Sequence, residues 1–232
     1  MTNANLPTPS TKELRLFLDT ADVDQWKAWM PTGMFYGITS NPLLLERASV
    51  PCSIQALTHL AHQAFALGAE EMQMQTWGNT VDDLVNTGRA IADIDQRVVV
   101  KVPITKTGTE AASQLITNGV RVTLTAAYTR HQALIAAAIG AEYVAPYLGR
   151  ITDQGGNGRD ELVAMQRSLD GVSSETRILT ASIRQVEDLS FLSAQGLNTF
   201  TFSAAIAAAL FEVPATQQAT QEFEQAAKRL ST

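Results

Sequence analysis

Cysteine is almost missing from this chain: Cys52 is the single thiol in 232 residues, so no intrachain disulfide can form. That usage suits a reducing compartment, and the expected location is the cytoplasm. Histidine is also scarce, with three residues. His59 and His62 stand three apart on a helical stretch, away from any strand end and without a neighbouring carboxylate or thiol. They read as surface or packing residues, not as metal ligands. His131 follows Tyr128-Thr129-Arg130 at a helix start and has no evident partner. No metal and no cofactor are therefore expected. Apolar runs stay well short of the roughly 20 residues that cross a bilayer, so no membrane partner is expected. The segment from Met1 to Ser10 has neither the basic nor the apolar region of a secretory leader. A basic excess is missing too. Lys and Arg total 17 against 23 Asp and Glu, a net charge of −6, which argues against a nucleic-acid partner. A small anionic ligand stays open, because a local arginine cluster can outweigh the global sign. Neither a phosphate-cradling P-loop nor a nucleophile elbow occurs.

What is present begins with Lys101. It lies in Arg97-Val98-Val99-Val100-Lys101-Val102-Pro103, a β-branched run that reads as a fully buried strand. A buried ammonium without a partner is costly, so such a lysine tends to shed its proton. The neutral amine is then a nucleophile able to condense with a carbonyl. For a lysine seen in isolation, a neutralising carboxylate or a snorkelling stem is the commoner explanation. The other strand ends decide between these readings.

Four apolar-periodic stretches stop at a glycine and run straight into a strand-like segment, at Gly68, Gly119, Gly140 and Gly196. Glycine just past a helix supplies the left-handed turn, so this is helix-to-strand punctuation. Further runs at Leu14–Asp19, Phe35–Ser40, Arg97–Val102 and Arg177–Ser182 complete eight candidate strands, each followed by a helix-compatible segment. Thr80 and Asp83 have the spacing of a capping box, and Met72 and Met74 read as core packing. The pattern predicts an α/β fold: one (β/α)₈ barrel with an extra C-terminal helix. A doubly wound sheet is the alternative, but no glycine-rich phosphate fingerprint follows the first strand. Residues 1–13 are expected to form a flexible tail, 14–214 the barrel, and 215–232 an amphipathic helix. The Gly155-Gly156-Asn157-Gly158 stretch reads either as a mobile substrate loop or as a plain solvent loop.

Barrel enzymes draw their chemistry from the C-terminal strand ends. Here those ends carry Asp19, Thr39 with Asn41, Gln75, Lys101, Thr125, Tyr147 with Arg150, and Ser182 with Arg184; strand eight ends at Ser203, with no sharp role. Singly, each has a dull explanation as a cap or turn residue. Together they compose one amine, one carboxylate, several neutral donors and two arginines. Lys101 would attack a ketone carbon, and Asp19 would compensate the iminium. Tyr147, backed by Gln75 and Thr125, would serve as the acid–base group, its phenol lowered by a nearby cation. Arg150 and Arg184, with Ser182, would clamp a phosphate.

Four segments carry a family resemblance: Leu18-Asp19-Thr20-Ala21, Gly37-Ile38-Thr39-Ser40-Asn41-Pro42, Val99-Val100-Lys101-Val102-Pro103-Ile104-Thr105 and Ala145-Pro146-Tyr147-Leu148-Gly149-Arg150. In this order they resemble the short transaldolase/fructose-6-phosphate aldolase family, from about Leu16 to Leu230. The resemblance implies a metal-free class I aldolase barrel with Lys101 as the Schiff-base residue. It further implies that Asp19, Asn41 and Thr125 orient a dihydroxyacetone unit, and that Arg150, Ser182 and Arg184 bind phosphate. The implied partners are small sugar phosphates and other copies of the chain, as a pentamer or decamer in which the last helix crosses to a neighbour. Gln75, Ala145 and Tyr147 are similar to fructose-6-phosphate aldolases, where transaldolases have Glu, Ser and Phe. Arg184 is more similar to the transaldolase pattern, and Ser40 replaces a usual threonine. A lyase acting on fructose 6-phosphate is thus the first expectation and a dihydroxyacetone transferase the alternative. A non-catalytic sugar-phosphate binding barrel is the reading from a different class.

Overall fold

The computed structural model describes residues 14–231, so the expected tail at 1–13 lies outside the described residues. From the start, β1 (Arg15–Asp19) leads to α1 (Val23–Trp29), a 3₁₀ turn (Met30–Thr32) and β2 (Gly37–Thr39). Then come α2 (Pro42–Arg47), α3 (Ile54–Ala66), β3 (Glu71–Gln75), α4 (Val81–Ala92), β4 (Val98–Pro103) and α5 (Lys106–Thr117). The second half runs β5 (Val122–Ala127), α6 (His131–Ile139), β6 (Tyr143–Pro146), α7 (Leu148–Asp153), α8 (Gly158–Gly171) and β7 (Arg177–Ile178). It finishes with α9 (Glu187–Ala194), β8 (Thr199–Phe202), α10 (Ala204–Ala209) and α11 (Pro214–Leu230). The eight strands form one parallel sheet in the order β7-β6-β5-β4-β3-β2-β1-β8. A parallel bridge between Thr180 and Phe200 closes it into a barrel.

The local signals work as their chemistry requires. Gly68, Gly119, Gly140 and Gly196 all have positive φ, the conformation that ends each helix where the next strand begins. Thr80 and Asp83 form the reciprocal capping box of α4. The 154–157 connection is a short exposed turn in which Asn157 caps α8, so the glycine-rich stretch is no long lid. One expected strand is much shorter than its sequence run. Only Arg177–Ile178 of Arg177–Ser182 is regular, because beyond it the amides alternate partners. Leu179 donates to Val144 on β6, and Thr180 donates to Thr199 on β8. Ser182 then turns away with φ 59°.

Strand parity sorts the side chains into two cores. On β4, Val98, Val100 and Val102 face the helices, while Val99 and Lys101 face the barrel axis. On β3, Met72 and Met74 pack outward, and Glu71, Gln73 and Gln75 point inward. The middle of the barrel is filled by Phe17, Val99, Tyr143, Ala145 and Leu179. The lower end holds a buried polar cluster around Glu71. Its carboxylate accepts from Arg121 at 2.5 Å, Gln73 at 2.9 Å and Tyr143 at 3.1 Å. Arg15 donates to the Tyr143 hydroxyl from the first strand. That end reads as structural, because barrel chemistry belongs to the opposite rim.

Candidate active site

Parity places Lys101 on the inner face near the C-terminal end of β4, 4% exposed, with Gln75 beside it in register on β3. Burial pulls its ammonium below the ordinary lysine value, and the Asp19 carboxylate partly opposes that pull. More of the neutral, nucleophilic amine is therefore present near neutrality than a surface lysine would offer. Asp19, at the end of β1, accepts a hydrogen bond from the Thr39 hydroxyl at 2.6 Å. Thr39 in turn contacts the Thr201 hydroxyl at 2.5 Å. Three strands thus fix the carboxylate before any ligand arrives.

Asn41 has the dull role and keeps room for a second one. Its side-chain oxygen accepts from the amides of Leu43 and Leu44, capping α2, a contact worth about 1 kcal/mol. Its two amide hydrogens remain available at the cleft wall. Asp19 caps nothing, because Asp22 performs that task for α1.

Across the cleft, Tyr147 follows β6 directly and its hydroxyl shares a 3.0 Å hydrogen bond with Thr125. A bulge in β5 lies just beyond Thr125, where Ala126 adopts φ 61° and the register with β6 shifts. The phenol does not behave as the sequence suggests. Burial pushes it above its ordinary value, outweighing the opposing influence of Thr125 and Arg150. Tyr147 is therefore a protonated acid at rest and not a standing base. The Tyr128 ring packs edge-on against it at 5.7 Å, and the Arg150 guanidinium lies 4.8 Å from its ring centre. The neighbouring Tyr128 hydroxyl is the main influence holding the Arg150 guanidinium above its ordinary value.

The strand-seven end brings Ser182 and Arg184 to the same cleft. Ser182 holds a left-handed backbone at a cost of roughly 1–2 kcal/mol. Gly149 lets α7 approach it: a Cβ there would stand 2.5 Å from the Ser182 carbonyl, whose oxygen accepts from the Gly149 amide. Arg184 pairs with Asp153 at 2.6 Å, with both side chains more than half exposed. That pair is soft enough to exchange for a bound anion.

A cleft of about 350 Å³ joins these groups. Asp19, Asn41, Lys101, Tyr147, Arg150, Ser182 and Arg184 all line it. Thr39 and Thr125 enter through their bonds to Asp19 and Tyr147, and Gln75 through its position level with Lys101. Thr201, Tyr128 and Arg47 were not expected from the sequence, yet Thr201 and Arg47 line the cleft and Tyr128 packs on the Tyr147 ring. The Thr-Phe-Thr-Phe alternation of β8 carried the signal for Thr201, since period two puts that hydroxyl inward. His59 and His62 are exposed on the outer helix α3. Among the described residues, no group of three or more His, Cys, Asp or Glu is placed to hold a metal ion. No described helix is long and apolar enough to cross a membrane.

Comparison with known proteins agrees with this geometry. The profile of the transaldolase/fructose-6-phosphate aldolase family matches residues 16–232. A probable transaldolase of Phenylobacterium zucineum is 30% identical over 210 residues, covering 90% of this chain and 94% of that protein. A probable transaldolase of Bacillus cereus is 31% identical over 214 residues, covering 90% and 95%. Among solved structures, a mandelate oxidase superposes with TM-score 0.56 at 15% identity, over 82% of this chain and 64% of that one. Flavocytochrome b2 gives 0.58 at 11%, over 83% and 57%. At such identities these two speak for the barrel fold alone, and this chain spans less than two thirds of each. The polar groups gathered at the strand ends and the family match lead to one assignment: the chain belongs to the transaldolase/fructose-6-phosphate aldolase family.

Proposed function

We propose that this protein is a class I aldolase that cleaves fructose 6-phosphate to dihydroxyacetone and glyceraldehyde 3-phosphate, and runs the reverse addition. The observation that carries the reading is Tyr147, whose hydroxyl reaches the cleft of Lys101 paired with Thr125. The Lys101 amine adds to the ketone at C2, and loss of water leaves an iminium. Asp19, held by Thr39, faces that cation. The C3–C4 bond then breaks. Its electron pair enters the iminium to give an enamine, the C4 hydroxyl proton passes to water, and the aldose phosphate leaves. Tyr147 delivers a proton to C3 and is reprotonated from that water, so the proton count closes. Hydrolysis of the resulting iminium releases dihydroxyacetone and restores the amine. Arg150, Arg184 and Ser182 take the phosphate, Arg184 exchanging Asp153 for it.

A second reading rests on two observations: relatives bearing the name probable transaldolase, and Arg184 itself. There the enamine waits for an acceptor aldose phosphate, and the three-carbon unit is transferred. Product analysis separates the two. Free dihydroxyacetone from fructose 6-phosphate without acceptor is the expected result, with a borohydride-trapped adduct on Lys101. Strict dependence on erythrose 4-phosphate would make the protein a transferase. An adduct mapped to Lys27, Lys106 or Lys228 would overturn both.

A further inference from the structure

The cleft has a basic residue that neither the family motifs nor the phosphate clamp accounts for. Arg47 is the last residue of α2, and it lines the same cleft as Lys101. The other two rim arginines are already engaged, Arg184 by Asp153 and Arg150 by the face of the Tyr147 ring. Among the described residues, no hydrogen bond or ion pair engages the exposed Arg47 side chain, so a residue lining the cleft keeps its donors uncommitted.

Its position follows from the chain. Asn41 caps the start of α2 and Arg47 closes it, so one short helix puts two residues on the cleft wall. Six residues of helix separate them by about 9 Å, so Arg47 reaches the cleft wall well apart from Asn41. In the closed sheet, β1 and β8 lie between β2 and β7. Arg47 and Arg184 therefore flank the end of β8 from opposite sides. Leu43 and Leu44, which line the cleft beside Arg47, present little competing polarity. The net charge of −6 gives no long-range attraction for an anion, so selection must be local.

We propose that Arg47 is a specificity-determining residue whose guanidinium engages the terminal phosphate of the aldose phosphate, opposite Arg150 and Arg184. The proposal rests on the aldol reading of the site. It makes the cleft select phosphorylated over uncharged aldehydes by bracketing the dianion from two flanks. A purely structural explanation also exists, because a cation in the last turn favours the helix dipole. The experiment must move something that a helix-end charge would not.

The test compares the parent, Arg47→Gln and Arg47→Lys, with dihydroxyacetone as donor and either glyceraldehyde 3-phosphate or glyceraldehyde as acceptor. Arg47→Gln should raise KM for the phosphorylated acceptor about tenfold, the low end for a hydrogen bond to a charged group. KM for glyceraldehyde and the rate of borohydride trapping by dihydroxyacetone at Lys101 should stay as in the parent. Arg47→Lys, which keeps the charge but not the fork, should recover part of the loss. A thermal-shift titration with inorganic phosphate should show the same ranking without any turnover. Unchanged KM for glyceraldehyde 3-phosphate, or equal losses for both acceptors, would overturn the assignment. If the parent itself forms no adduct, the aldol reading fails instead, and the phosphate titration alone decides whether Arg47 binds anions.

Discussion

Replacing Tyr147 by Phe removes one oxygen and keeps nearly everything else. The ring retains its edge contact with Tyr128 at 5.7 Å and its place beneath Arg150 at 4.8 Å. The lost contact is the 3.0 Å bond to Thr125, a stability cost of about 1 kcal/mol. The catalytic cost is larger. A positioned acid–base group contributes about 10²–10⁴ in rate, which is about 3–5 kcal/mol of barrier. Because burial keeps the phenol protonated, that whole contribution falls on proton delivery to the enamine and not on Schiff-base formation. Release of dihydroxyacetone from fructose 6-phosphate should therefore fall by 10²–10⁴, while borohydride trapping at Lys101 proceeds as before. Transfer to added erythrose 4-phosphate should suffer less, since an acceptor consumes the enamine without that proton. The acid limb of the pH profile should survive the substitution. It reports Lys101, whose amine is easier to deprotonate than an ordinary lysine because burial disfavours its charged form. Continuous coupled assay of both products, with single-turnover trapping, measures each step. Cleavage at the parent rate would remove Tyr147 from the mechanism and shift the assignment to the transferase. Equal losses in trapping and release would mean the phenol shapes the cleft instead of moving a proton.

Two further outcomes follow from parts of the molecule remote from the cleft. Arg121→Met removes the close guanidinium of the fully buried Glu71 carboxylate, leaving only Arg15 at 3.9 Å, and should cost about 3 kcal/mol, a fall of roughly 6–12 °C in Tm. Burial already raises the Glu71 carboxyl, so the deficit should shrink as falling pH protonates it; a Tm within 2 °C of the parent would refute the pairing. Helix α11 buries none of its 17 residues and leaves Phe223 71% and Leu230 87% exposed, so we propose that a neighbouring subunit covers it. Sedimentation should give a pentamer or decamer of the 25.0 kDa chain, and deletion from Pro214 onward should reduce it; a monomer at micromolar concentration would count against the proposal.

The barrel was legible because its signals are local and repeated. A glycine after each of four helices must turn left-handed whatever surrounds it, and Val98–Val102 has no stable place outside a core. Parity then delivered Lys101, Asp19 and Thr125 to one side of their strands, so the amine, the carboxylate and the hydroxyl could be read together. The shortness of β7 could not be read in the same way. Its residues have strand propensity throughout, but barrel closure makes Leu179 and Thr180 bond to different neighbours. Tyr147 shows the same limit in its chemistry. Its Thr125 partner was foreseen, yet whether its phenol rises or falls depends on burial against two opposing neighbours, a balance set only by tertiary packing. Arg47 marks the limit for specificity. It stands five residues from the nearest motif position, on a helix with no chemical signature, and only the fold of α2 over the strand ends carries it to the cleft. On the proposed reading, the reacting groups of this barrel are written into strand ends, where period two fixes their direction. Groups that select the substrate sit on the helices and loops beyond those ends. Their reach depends on caps such as Asn41 and close approaches such as Gly149, so catalytic residues can be found by spacing while substrate preference cannot.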